Sequence, residues 1–203
     1  MMGENAGSEW WQAMPSRVLE GIGRIKRITL SSDWLEQPTF EDMFSQAWKV
    51  SFAQQAEPEV ELLFFYRGLP VDPGSVDVFR SLSVLKPALS GPEKLTPNEV
   101  SSLRIMMGFE TMGNNQYTNP EAPGLPGGRV FDLIAAQTRR IEDIVVLHLR
   151  GRFSSGVQYE GIQFPADYSG RVIQEVAMQA PSAELLARYA FQFNEVIESI
   201  QWN

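Results

Sequence analysis

The residue best equipped for acid–base work is His148, the single histidine in the chain. It stands in Ile144-Val145-Val146-Leu147-His148-Leu149-Arg150, a run that reads as a strand in which His148 shares a face with Val146 and Arg150. A general base needs a nucleophile or an orienting carboxylate within hydrogen-bond reach, and no serine motif of the G-x-S-x-G kind supplies one. A sheet histidine hydrogen-bonded to its neighbours is therefore the reading taken. The chain has no cysteine, which removes disulfides, thiol catalysis and thiolate metal sites together. Glu57, Glu59 and Glu61 alternate and could gather a hard cation, but the regular Asp/Asn spacing and central glycine of a calcium loop are missing, so a solvated strand face is expected. Glu142-Asp143 reads as a turn before a ligand. No catalytic residue, metal ligand or cofactor is assigned.

Contact chemistry has better candidates. Met106, Met107 and Met112 fall where a helix would end and a long polar segment begin, and their unbranched thioethers suit an adaptable apolar surface. Tyr117 follows within that polar segment, close to Asn114 and Asn115. An exposed aromatic supplies contact area at low entropy cost, so Tyr117, Asn114, Asn115, Met112 and Met107 form the candidate binding set.

Composition limits what such a set could hold. The chain has 203 residues, 43% hydrophobic and 21% charged, enough for one packed core. Its net charge is −8, from 25 acidic and 17 basic residues. Nucleic-acid binding without a concentrated basic face would lack its main source of affinity, so no nucleic-acid partner is expected. Two basic groups, Arg24-Lys26-Arg27 and Arg139-Arg140-Arg150-Arg152, read as solvated strand faces. No apolar run is long enough to span a membrane or serve as a signal peptide, and a cytoplasmic location is expected.

The elements that must position these residues are legible in pieces. Residues 1–20 read as an N-terminal arm and 21–203 as a single α+β domain; Trp10 and Trp11 on the arm suit docking on the body or on another subunit, which leaves a homo-oligomer open. Strands are expected from Arg24 to Leu30, from Trp48 to Ala53 and from Val60 to Arg67, the last with a continuous apolar run suited to an interior position. One or two helical turns are expected at Glu41 to Ala47, and a turn of helix at Val76 to Leu82. Thr96-Pro97-Asn98-Glu99 is a capping box that opens a helix to about Met107. Phe109 to Gly128 has little periodicity and reads as a long loop. Val130 to Arg140 is ambiguous between helix and strand; strand is chosen because Ile144 to Phe153 follows in hairpin position. Strands at Val157 to Pro165 and Gly170 to Ala180 complete the sheet. Ser182 then caps a last helix with Leu186, Tyr189, Ala190, Phe193, Ile197 and Ile200 on its apolar side, and Trp202 anchors the end.

Ile28-Thr29-Leu30-Ser31-Ser32-Asp33-Trp34 resembles the opening strand and Gly/Asp-Trp segment of PsbP-like and DcrB-like proteins. The passage from a strand through Ala180-Pro181 into a helix finishing on Ser199-Ile200-Gln201-Trp202 is similar to their ending. The resemblance implies an α/β/α sandwich on a mostly antiparallel central sheet. It also implies a non-catalytic accessory, adaptor or chaperone-like module with a protein partner. The long 109–128 segment and the N-terminal arm depart from that pattern and leave the partner open. The alternative reading is a small-molecule hydrolase or isomerase with a carboxylate-lined pocket, which two converging carboxylates of perturbed pKa would support.

Overall fold

The computed structural model describes residues 16–38, 49–70, 93–94, 111–112, 115–116, 131–153, 155–167, 169 and 171–203. The expected helical segments at 41–47, 76–82 and 96–107, most of the 109–128 loop and the tryptophans at 10 and 11 lie outside these residues.

The chain enters through β1 (Ser16–Ile22), which turns back on β2 (Ile25–Ser31). The strand β1 occupies part of the span expected as an arm. Its side chains are nearly all exposed, so no apolar alternation marks it in the sequence; its pairing with β2 defines it. The turn uses Gly23 at φ 60, a left-handed backbone that suits glycine, and a Cβ there would overlap the Gln174 amide and the Tyr66 carbonyl. Buried Ile25, Ile28 and Leu30 hold β2 against the body.

From β2 the chain crosses into a second, larger sheet through β3 (Trp34–Glu36), followed by β4 (Lys49–Gln54) and β5 (Glu61–Pro70). Two-residue strands β6 (Glu93–Lys94), β7 (Thr111–Met112) and β8 (Asn115–Gln116) come next. The long strands β9 (Phe131–Ile141), β10 (Ile144–Phe153), β11 (Gln158–Pro165) and β12 (Val172–Ala180) then form a meander. The helix α1 (Ala183–Glu198) and the short β13 (Gln201–Trp202) end the chain. The large sheet has the order β3-β4-β5-β12-β11-β10-β9-β6, with every neighbouring pair antiparallel. The small sheet is β1-β2-β13. The strand alternative for 130–140 is the one adopted, and β5 is interior, as its buried Leu62, Leu63 and Phe64 require. The fold is α+β.

Local chemistry explains the ending. Ser182 is extended at φ −141 and its hydroxyl accepts from the Leu185 backbone N–H at 3.2 Å, satisfying one of the free donors of the first turn. Leu186, Tyr189, Phe193, Val196 and Ile197 are the buried side of α1, which packs on β12, β11 and β2. Val196 joins the stripe expected from the sequence, while Ala190 is only half-buried. Trp202 donates its indole N–H to the Ile141 carbonyl at 2.9 Å and sits edge-on to Phe164, with ring centroids 4.8 Å apart, so the end of the chain is anchored.

Candidate functional site

Because side chains alternate along a strand, β11 feeds two different environments. Glu160, Ile162 and Phe164 point to the face covered by α1; Tyr159, Gly161 and Gln163 point to the other. Cross-strand register fixes the neighbours of each: Ile162 lies beside His148 and Val176, and Gln163 beside Leu147 and Glu175.

On the helix-covered face, His148 is held from both sides. Its Nε2 is 2.9 Å from Glu160 Oε1 and its Nδ1 is 3.3 Å from Gln137 Nε2. The Gln137 amide nitrogen can only donate and the Glu160 carboxylate can only accept, so this placement of the amide matches the tautomer with its proton on Nε2. Both side chains are about a tenth exposed, 10% and 11%. The carboxylate is the partner that reasoning from sequence missed. Only the β10–β11 register, which sets Glu160 opposite Arg150 and diagonal to His148, brings the two together. Nearby, Arg139 on β9 donates to Asn194 Oδ1 at 2.8 Å and to Glu198 Oε1 at 2.6 Å, tying the last turns of α1 to the sheet. Of the other basic residues singled out, Arg24 donates to the Pro165 carbonyl at 2.8 Å, whereas Arg150 and Arg152 stay exposed.

On the opposite face lies a second polar cluster. Gln163 Nε2 donates to Glu175 Oε2 at 2.6 Å, and the Tyr159 hydroxyl faces the same carboxyl group. Gly161 permits this: a Cβ there would overlap the Tyr159 hydroxyl, so the absent side chain lets the phenol ring lie along the strand toward Glu175. The ring is also edge-on to Phe153, at 6.0 Å between centroids. Glu175 is only part-buried as a residue, but its carboxyl end is enclosed, and burial pushes its pKa above the usual carboxylate value while the bonds from Gln163 and Tyr159 pull the other way. Burial likewise pushes the Tyr159 phenol up, aided by the charge of Glu175. The cluster is an enclosed carboxyl group held by an amide and a phenol. It can donate and accept hydrogen bonds but offers no ready nucleophile.

The remaining sequence candidates divide in two. Met112 and Asn115 are brought together as direct cross-strand partners of β7 and β8. Tyr117, Asn114 and Met107 lie outside the described residues. Glu57 is bound by Arg188 of α1 at 2.9 Å, and Glu142 takes the left-handed φ of 51 that the tight β9–β10 turn requires. No group of three or more metal-binding side chains occurs among the described residues, and no helix among them is long and apolar enough to cross a membrane.

This arrangement of a helix-backed antiparallel sheet is matched by the solution structure of cyanobacterial PsbP (CyanoP) from Synechocystis sp. PCC 6803. The match has a TM-score of 0.55 at 10% identity and covers 99% of this chain and 100% of that one. The chain has a PsbP-like fold. No family model matches the sequence, and no curated protein does. The fold expected from the opening Asp33-Trp34 segment and the Ala180-Pro181 to Trp202 ending is thus the fold observed.

Proposed function

We propose that the chain is a non-catalytic accessory module that holds a protein partner through its surface. The observation that carries this reading is the double engagement of His148. Gln137 and Glu160 engage both ring nitrogens of the single histidine, which leaves no unengaged nitrogen to offer a substrate. The PsbP-like fold supports the reading, because that architecture presents broad sheet and helix faces for contact. The experiment is reciprocal co-purification: tagged chain, chemical cross-linking in its own cells, then the captured protein tagged in turn. The reading expects one partner near equal stoichiometry in both directions, retained by His148→Gln.

The alternative of a small hydrolase or isomerase is favoured by one feature, the raised pKa of Glu175 beside Tyr159. An absent partner, together with ester or amide turnover that Glu175→Gln abolishes, would establish the enzyme instead.

A further inference from the structure

The strand β9 carries one residue more than its partner needs. Ala135 stands opposite Arg150 and Leu133 opposite Gly151, so Ile134 has no counterpart and forms a β-bulge. Burial shows the same break. Leu133 and Ala136 are both buried, while Ile134 and Ala135 between them are both exposed, Ile134 at 60%. With Ile134 left out, exposed and buried residues would alternate without interruption from Asp132 to Ala136, and Thr138 would continue the buried side.

The bulge lies where β9 has a strand neighbour on one side only. β10 lines the inner edge along the length of β9, whereas on the outer edge β6 pairs with Thr138 and Gln137 alone. The outward N–H and C=O groups of residues 131–136 therefore meet no strand among the described residues, and Asp132, Ile134 and Ala135 are exposed there. An edge of this kind is a template on which another chain can add a strand. Composition sharpens the hazard: Leu133 to Thr138 is six consecutive residues with no charge, proline or glycine, inside a strand of 11 residues. The other open margins differ. β3 is only three residues long, and β1 sets Arg17 and Glu20 within its seven residues and turns left-handed at Gly21, φ 70. Shortness and charge blunt those edges, and β9 has neither over this stretch.

We infer that the bulge at Ile134 is an edge guard, which keeps the outer margin of β9 from pairing with the same strand of a second copy of this chain. On a regular strand the outward backbone groups recur every two residues, and an incoming strand can meet them all in one register. The extra residue breaks that repeat. A strand in register with the groups on one side of Ile134 is out of register on the other, and the added local twist turns the margin away from a flat partner. The guard is thus the extra backbone unit, and the isoleucine side chain is incidental to it.

The test compares three full-length chains by sedimentation velocity over a concentration series: wild type, a variant with Ile134 deleted, and Ile134→Ala, which keeps the extra residue. Thermal melts show which of them fold. The inference expects the deletion variant to fold and to self-associate at concentrations about ten-fold or more below those at which wild type does, while Ile134→Ala sediments as wild type. A folded deletion variant that sediments as wild type would overturn the guard. So would Ile134→Ala associating as strongly as the deletion, since the side chain and not the backbone would then be responsible. A deletion variant that fails to fold would show that the β9–β10 hairpin itself requires the extra residue, which also overturns it. Amide exchange on wild type checks the open margin independently of any variant. The outward amides of residues 131–136 should exchange about a hundred-fold or more faster than those of β11. Protection of those amides equal to that of β11 would mean that the margin is covered and has no need of a guard.

Discussion

The two faces of the large sheet are built on different principles, and β11 shows both within a few residues. Toward α1, Ile162 and Phe164 join Val176, Phe64 and Phe193 in a core where neighbouring side chains are held by shape and by removal from water. Away from α1, Gln163 and Tyr159 enclose the carboxyl end of Glu175, and the same strand is held by directional bonds around a buried acid. Under α1 similar hydrophobes could replace one another, whereas the pairing of Gln163 with Glu175 is tied to one register, as is that of His148 with Glu160 on the helix-covered face itself. The apolar core beneath α1 fixes the helix in place; the two polar pairs, one on each face, fix the alignment of the central strands.

Breaking the apolar side should have the largest effect. Phe193→Ala empties the centre of the helix contact and is expected to cost about 3–5 kcal/mol in a urea melt. On the polar side, Gly161→Ala pushes a methyl group into the Tyr159 hydroxyl and is expected to cost about 1–3 kcal/mol. Combined with Tyr159→Leu, its cost should be well below the sum of the two, since both changes act on one contact. Arg139→Ala should loosen the last turn of α1 by about 1 kcal/mol, visible as faster amide exchange at Asn194 to Glu198. Glu175→Gln sharpens the contrast through pH. A carboxyl whose folded pKa is raised favours the folded state while protonated, so its contribution is full below the unfolded value near 4.5 and is lost as pH rises through the folded value. The variant should lose that decline, flattening stability against pH above about 4.5.

How much of this was legible in the sequence follows from how local each feature is. The Ser182 cap, the buried stripe of α1 and the tight turn at Glu142-Asp143 depend on residues within a few positions of one another, and propensity and periodicity reveal them. The strand β1 was not legible, because Ser16–Ile22 exposes both sides and owes its conformation to pairing with β2. Nor was the insertion of β12 between β5 and β11, which joins segments about a hundred residues apart. The functional features share that limit. Glu160 reaches His148, and Glu175 reaches Tyr159, only once the register is known. The exposed Ile134 depends on a bulge that Val130 to Arg140 hints at only as imperfect alternation. Of the binding set read from the sequence, Met112 and Asn115 do meet across β7 and β8, a proximity that follows from their three-residue separation.

The contrast between the faces is tested most directly by a carbon-detected NMR titration of the Glu175 carboxyl in the folded protein. A midpoint above 4.5 is the predicted result. A Glu175 carboxyl that ionises at or below 4.5 would mean that its end is solvated and that the second face is not held by an enclosed acid.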